Sequence, residues 1–236
     1  MLYDTRQAPL CAEAPQKTEF VSTMTEQQHR EEIVRFGKML HERGYVAATD
    51  GNLSVRLGPN AVLCTPTCMS KGMMEPADLV LVDMEGRKVA GGRACSSEIA
   101  MHLLIYQLRP DVAGIVHAHP TTATGYAAAG MQMNEALISE VVLSLGTIPL
   151  ARYGTPGTPE LTEALEPLIA HHDAIIMANH GVVTYGETLL RAYMNMETVE
   201  HFAKISLVSH LLGRQQPLDE KQVEKLFAVV RSRDLS

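Results

Sequence analysis

Long apolar runs are missing from this 236-residue sequence. The apolar stretches it does contain, such as 114–116 and 174–177, are far shorter than the roughly 20 residues of a membrane span, and the N-terminus lacks the apolar block of a signal peptide. Basic residues are not in excess either, because 20 lysines and arginines stand against 27 aspartates and glutamates, a formal charge of −7. We therefore expect a soluble, cytoplasmic, globular protein without membrane or nucleic-acid partners.

Cysteine is scarce and is not arranged in pairs. The chain shows no CxxC spacing, and a protein of this length buries enough core to fold without disulfides. We predict reduced thiols at the four cysteines Cys11, Cys64, Cys68 and Cys95. Histidine, with ten residues, is the more informative residue type, and its spacing must decide its role.

The length suits one domain with a substantial core. Residues 1–22 contain Pro9 and Pro15 and show no sustained periodicity, so we predict a flexible N-terminal arm. Residues 23–236 are predicted to form a single domain. They contain no internal repeat and no low-complexity tract.

Strand and helix patterns alternate along this predicted domain, which favours the α/β class. An N-cap at Thr25 and an apolar stripe predict the first helix, and Pro110 stops the second. The predicted helices are 25–44, 96–108, 159–170, 188–212 and 219–231. The predicted strands are 52–57 and 61–65, joined as a hairpin, then 78–83, 88–89, 112–116 and 174–177.

Two of the predicted buried strands each lead into a histidine. Because side chains alternate along a strand, His117 and His119 point to the same side and can chelate one ion. That spacing alone does not distinguish metal ligands from hydrogen-bonded core histidines. His180 follows the second strand, and three imidazoles leave a zinc ion an open position for water or substrate. The alternative is three unrelated histidines.

A possible acid/base group lies at the predicted start of the second helix. Ser96 and Ser97 can cap the helix, and free backbone N–H groups there can bind an anion. Glu98 follows in the first turn, although any well-capped helix contains such residues. His102, four residues later on the same helical face, competes for the metal, but we favour a supporting or core role for it.

Two short loops have the composition of anion-binding loops. Segments 49–52 and 65–68 combine small hydroxyl, amide or glycine residues at the ends of strands. Such residues allow backbone N–H groups to approach a phosphate. Ordinary turn formation explains either loop taken alone.

Taken in order, six motifs between about Thr25 and Leu218 resemble the class II aldolase family. That family comprises metal-dependent sugar-phosphate aldolases, ribulose-phosphate 4-epimerases and the non-enzymatic adducin head. The motifs are TDGNLS at 49–54, TPT at 65–67, SSE at 96–98, HAHP at 117–120, GTPGTPEL at 154–161 and NHG at 179–181. The resemblance implies a three-layer α/β/α sandwich around a mostly antiparallel sheet, assembled as a homotetramer with active sites at subunit interfaces.

The resemblance also implies roles for individual residues. Glu98 is the implied acid/base in a retro-aldol cleavage of a sugar phosphate, which proceeds through a Zn²⁺-stabilised enediolate and releases dihydroxyacetone phosphate and an aldehyde. Co²⁺, Mn²⁺ and Fe²⁺ suit the same imidazole ligands. The implied metal ligands are His117, His119 and His180. The implied substrate and phosphate pocket consists of Gly51, Asn52, Thr67, Cys68, Ser96 and Ser97.

Departures from the fuculose-phosphate aldolase pattern keep a second reaction open. Two tyrosines of that pattern are unmatched, because this chain has segment 138–142 and Ser206 in their places, with Glu140 as a substitute proton donor. Decarboxylation of a phosphorylated 3-oxo sugar acid yields the same kind of enediolate without an aldehyde-side phenol. It is therefore the leading alternative.

Three further alternatives rank lower. An epimerase is disfavoured because the family's epimerases carry aspartate where this chain has Glu98. An adducin-like binding scaffold is disfavoured because all three histidines are present. A substrate without phosphate also remains open, since Asp50 and Cys68 replace an alanine and a glycine of the aldolase pattern.

Overall fold

The computed structural model describes residues 24–234 and contains one eight-stranded sheet. Its strands are β1 (Asn52–Gly58), β2 (Ala61–Cys64), β3 (Val80–Val82), β4 (Lys88–Ala90), β5 (Gly114–Ala118), β6 (Leu150–Ala151), β7 (Ala174–Met177) and β8 (Gly181–Gly186). Their order is β4-β3-β2-β1-β5-β8-β7-β6. Neighbouring strands pair antiparallel except β6 and β7, which are parallel. The prediction of a mostly antiparallel sheet is confirmed.

Helices cover both faces of this sheet. They are α1 (Glu26–Glu42), α2 (Ile99–Leu108), α3 (Thr121–Ala128), α4 (Ser139–Ser144), α5 (Pro159–Ile169), α6 (Leu189–Leu211) and α7 (Glu220–Asp234). One core packs α1, α3 and α6 against Val116 and Ile176, and the other packs α2 and α5 against Ile115 and Ile175. Adjacent strand residues thus serve opposite cores, and the predicted three-layer α/β/α sandwich is confirmed.

Local sequence signals explain several of these elements. Thr25 caps α1 in a capping box, because its hydroxyl accepts from Gln28 N at 3.3 Å and its backbone N–H donates to Gln28 Oε1 at 2.7 Å. The predicted hairpin of β1 and β2 turns at Pro59 and Asn60. No helix within residues 24–234 is long and apolar enough to cross a bilayer.

Five elements differ from the sequence prediction. The segment after His180 forms strand β8 rather than a connection to the next helix, and Asn179 permits the tight β7–β8 turn with φ of 54°. Helices α3 and α4 and the two-residue β6 were not predicted, since each is too short to show a period. The predicted strand 78–83 is shortened because a 3-10 helix occupies Pro76–Asp78. The predicted arm 1–22 lies outside the described residues, and the single domain over 23–236 stays a prediction.

Candidate functional site

Three histidines meet beside the centre of the sheet, and we call them the histidine cluster. His117 lies near the end of β5, His119 lies just beyond it, and His180 lies in the turn between β7 and β8. One nitrogen from each ring lies within 4.8 Å of the other two. The His117 side chain is fully buried and His180 is 9% exposed. The predicted convergence of these three residues is confirmed.

Polar contacts at Nδ1 orient the rings of His117 and His119. His117 Nδ1 donates to Val182 O at 2.9 Å, and His119 Nδ1 lies 3.5 Å from Asp50 Oδ2. The Nε2 atoms of His117 and His119 are 3.2 Å apart. When the other ring nitrogen carries the proton, Nε2 is left with a lone pair for a metal. The cluster therefore fits a divalent cation held by three imidazoles with an open position.

Two glycines allow the backbone to approach these rings. A Cβ on Gly181 would lie 2.4 Å from His119 Cδ2 and 2.7 Å from Ala118 O. Gly51 has φ of +72°, and a Cβ there would lie 2.8 Å from His117 O. Neither position accepts a side chain without displacing a histidine. Close packing against the histidine segment therefore explains the glycines in two of the predicted motifs, TDGNLS and NHG.

The carboxylate of Glu98 lies against two rings of the histidine cluster. Its Oε2 lies 3.2 Å from His117 Nε2, and its Oε1 lies 3.1 Å from His180 Nε2. Oε2 also accepts from Asn52 Nδ2 at 2.8 Å, whereas Oε1 is buried without a hydrogen-bond donor among the described residues. Burial raises the pKa of Glu98, but His117 and His180 outweigh it and hold that pKa well below its usual value.

The predicted placement of Glu98 in the first helical turn is wrong. Glu98 is the N-cap residue of α2 and makes no side-chain cap, because its carboxylate faces the histidines instead. The Ser96 hydroxyl accepts a hydrogen bond from Glu98 N at 3.2 Å. The predicted serine cap therefore bonds to the N-cap residue and not to an N–H inside the helix. His102 lies outside the metal-binding group and bonds to Asn52, as the favoured supporting role predicts.

The two predicted anion-binding segments, which we call the anion loops, lie beside the cluster. Loop 65–68 is joined to the start of β1 through Leu53 N and Thr65 Oγ1, 3.2 Å apart. It is joined to the Ser96 segment through Ser96 N and Thr65 O, 3.3 Å apart. Cys68 is exposed and has φ of +55°, a conformation suited to the glycine expected there. The predicted pocket residues therefore come from three adjacent segments.

Lys71 was missed by the sequence analysis. It is only 1% exposed, and its Nζ donates to Thr49 O at 3.1 Å and to Met69 O at 2.5 Å. Burial lowers its pKa to about 8. It joins loop 49–52 to the segment that follows loop 65–68. No sequence signal marks this residue, because lysines in polar loops are ordinarily solvated.

Ser206, at one unmatched tyrosine position, and Glu140, the suggested substitute proton donor, have different surroundings. Ser206 is buried on α6 and accepts from the Tyr126 hydroxyl at 2.9 Å, so it packs α6 against α3. Glu140 is exposed in the first turn of α4. Neither observation supports a phenol-like proton donor at these two positions.

Comparisons with known proteins agree with this geometry. The model of the class II aldolase and adducin N-terminal domain matches residues 31–207. The chain is 37% identical to 3-oxo-tetronate 4-phosphate decarboxylase of Haemophilus influenzae, over 77% of this chain and 88% of that protein. It is 30% identical to 5-deoxy-D-ribulose 1-phosphate aldolase of Bacillus thuringiensis, over 85% and 94%. A solved L-fuculose 1-phosphate aldolase superposes with a TM-score of 0.81 at 31% identity, covering 89% of this chain and 99% of that one.

Proposed function

The chain belongs to the class II aldolase and adducin family, and from that premise we propose a metal-dependent carbon–carbon lyase that decarboxylates a phosphorylated 3-oxo sugar acid. The observation that carries the proposal is the meeting of three imidazole Nε2 atoms with the Glu98 carboxylate. The sequence resemblance placed retro-aldol cleavage first. We reverse that order because this chain is 34–37% identical to related 3-oxo-tetronate 4-phosphate decarboxylases and 30–32% identical to related sugar-phosphate aldolases.

The histidine cluster would hold the metal ion. Imidazole ligands suit Zn²⁺ best, with Co²⁺, Mn²⁺ and Fe²⁺ as alternatives. The bound ion would supply a Lewis acid that stabilises negative charge on substrate oxygens. His117 is oriented for this role by Val182 and His119 by Asp50.

Glu98 is the proposed acid/base. In decarboxylation, the bond between the substrate carboxylate and its α-carbon breaks, carbon dioxide leaves, and the electron pair moves toward the 3-oxo oxygen. A proton must then reach the former α-carbon, which gives dihydroxyacetone phosphate from a four-carbon substrate. Since Oε2 accepts from Asn52, we assign the proton to Oε1, which lacks a donor among the described residues.

The anion loops and the serine segment would bind the phosphate. Small side chains and turning backbone there can present N–H groups to an anion, and the buried ammonium of Lys71 adds positive charge next to loop 49–52. The side-chain amide of Asn52 is already engaged by Glu98 and His102. The proposed pocket consists of Gly51, Asn52, Thr67, Cys68, Ser96 and Ser97.

Retro-aldol cleavage of a ketose 1-phosphate is the second candidate. It is favoured by the Bacillus thuringiensis relative, whose match extends over 85% of this chain. The same enediolate forms, but an aldehyde leaves in place of carbon dioxide and its oxygen must be protonated. Segment 138–142 and Ser206 offer no tyrosine for that step, and Glu140, the substitute suggested by the sequence, is exposed in the first turn of α4.

We further propose a cytoplasmic homotetramer with active sites at its subunit interfaces. This expectation comes from the resemblance to the family. Light scattering tests it, since four chains give about four times the 25.8 kDa of one.

Product analysis tests the proposed reaction. Protein purified without chelator is assayed for metal by elemental analysis and then offered 3-oxo-tetronate 4-phosphate and a panel of ketose 1-phosphates. Release of carbon dioxide with dihydroxyacetone phosphate from the 3-oxo acid supports decarboxylation. Release of an aldehyde with dihydroxyacetone phosphate from a ketose 1-phosphate supports the second candidate instead. Substoichiometric metal, together with no product from either the 3-oxo acid or the ketose 1-phosphates, would indicate a binding scaffold instead of an enzyme.

A further inference from the structure

A continuous chain of buried side-chain hydrogen bonds leads from Glu98 into the core. Asn52 Nδ2 donates to Glu98 Oε2 at 2.8 Å, and Asn52 Oδ1 lies 2.5 Å from His102 Nε2. His102 Nδ1 lies 2.7 Å from Ser54 Oγ, which lies 2.8 Å from the Tyr106 hydroxyl. The four residues behind Glu98 are at most 4% exposed, so their protein partners decide their hydrogen bonding.

The positions of the hydrogens follow from the carboxylate. Because Glu98 Oε2 accepts from the amide nitrogen of Asn52, Asn52 Oδ1 faces His102 and Nε2 must carry a proton. Burial and, to a smaller extent, His117 lower the pKa of His102 to about 3, so the ring is neutral. His102 Nδ1 therefore accepts from Ser54, and Ser54 accepts from Tyr106. Every donor in this series of hydrogen bonds points toward Glu98.

The reversed arrangement is disfavoured at both ends. A flipped Asn52 amide would place Oδ1 against Glu98 Oε2, and two acceptors repel. The Tyr106 hydroxyl would then have to donate to Ala113 O, which lies 3.4 Å away rather than 2.8 Å. A rotation of the Asn52 amide alone would leave His102 Nε2–H facing another donor, which costs a buried hydrogen bond.

We propose that His102 is a positioning residue for the lyase: its Nε2–H holds the Asn52 amide so that Glu98 Oε2 stays an acceptor and Oε1 handles the proton. This inference rests on the proposed acid/base role of Glu98. In the described hydrogen bonds His102 contacts the proposed pocket only through the Asn52 side chain, whose amide is already engaged by Glu98, and it contacts no ring nitrogen of the cluster. Its loss should therefore change the rate of the chemical step and leave substrate binding intact.

Kinetics of buried variants test the proposal. In His102→Leu we expect kcat to fall at least about tenfold, the scale of leaving the buried Asn52 Oδ1 without a donor, with KM within about twofold of wild type. His102→Gln can place an amide N–H near the Nε2 position and should recover most of kcat. Tyr185→Phe is the matched control. The buried Tyr185 hydroxyl donates to Ile169 O and takes no part in the hydrogen bonds behind Glu98, so its removal should leave kcat and KM unchanged.

Nitrogen NMR of the His102 ring supplies a readout that needs no turnover. We expect a neutral ring protonated at Nε2 in the wild-type protein. Should His102→Leu not fold, Ser54→Ala removes the donor to Nδ1. Because Asn52 Oδ1 still faces Nε2, the ring should stay protonated at Nε2, with kcat and KM close to wild type, and a shift to the Nδ1-protonated form would contradict the proposal.

A wild-type ring protonated at Nδ1, a charged ring at pH 7, or a folded His102→Leu with wild-type kcat would overturn the proposal. Absence of turnover in wild-type protein that nevertheless shows the Nε2–H ring would instead refute the lyase reaction and leave the hydrogen-bond assignment standing.

Discussion

The two sides of the candidate site are built by different means. The histidine cluster belongs to antiparallel central strands and a tight turn, and its rings are oriented by backbone or carboxylate partners. The anion loops lie where strands end and include the exposed Cys68 at positive φ, and the buried ammonium of Lys71 joins loop 49–52 to Met69, just after loop 65–68. Ligands on paired strands are placed by the sheet register, whereas loop backbones depend on individual long-range contacts.

This difference has consequences for substitution. Removal of a group from the histidine cluster should abolish chemistry while the fold survives, because the sheet does not depend on those side chains. Changes at the anion loops should instead appear as modest effects on stability. Four experiments test this contrast.

Loss of a metal ligand is expected to have the largest effect. His180→Ala should lower turnover roughly a thousandfold, since metal stabilisation of transition-state charge is worth several kcal/mol, and bound metal should fall with it. His180 Nδ1 has no hydrogen-bond partner among the described residues, so removal of the ring breaks no hydrogen bond at that nitrogen. His201→Ala, at an exposed position of α6, is the control. Full metal content with wild-type turnover in His180→Ala would remove this residue from the site.

Glu98→Gln is expected to have the next largest effect. Turnover should fall roughly a hundredfold or more, the scale of general acid/base help, while elemental analysis shows metal still bound. Glu166→Gln, at an exposed position of α5, should leave turnover unchanged. Unchanged turnover in Glu98→Gln would exclude this carboxylate from the mechanism.

Lys71 should give a pH dependence of stability on the loop side. Its pKa is about 8 in the folded chain and about 10.4 when unfolded, so the unfolded state binds more protons between those values. The free energy of unfolding attributable to Lys71 should therefore rise with pH across that window, by up to about 1.4 kcal/mol per pH unit.

Denaturant unfolding of wild type and Lys71→Met between pH 7 and 10.5 measures this contribution as the difference between the two proteins. Lys221→Met, at an exposed position of α7, should not differ from wild type in this slope. A wild-type minus Lys71→Met difference that stays flat with pH would show that burial does not perturb this ammonium.

Cys68 should give the smallest effect. A side chain at φ of +55° is strained, so Cys68→Gly should be more stable than Cys68→Ala by about 0.5–1 kcal/mol, after the entropy that glycine loses on folding. Both variants lack the thiol, so their difference isolates the Cβ. Equal midpoints in denaturant would show that the loop backbone relaxes freely.

The fold was predictable in its regular parts. The periodic helices α1, α5 and α6 and the β1–β2 hairpin begin and end within a few residues of their predicted bounds. Strand β8 was not predicted, because 174–186 is an apolar segment interrupted only at Asn179 and His180. Such an interruption is either a tight turn between two strands or the end of the sheet. Long-range pairing decides between them, because β8 pairs with β5 as well as with β7.

By itself the sequence determined which residues are proposed for the chemistry: three histidines at strand ends and a glutamate after two serines, because ligand type and strand alternation are local properties. Only the tertiary structure decided how they are used. Register brought Asn52 opposite His117, α2 placed His102 behind Asn52, and packing buried Lys71 against Thr49 and Met69. These contacts join residues far apart in the chain, and their burial makes each unpaired donor or acceptor costly.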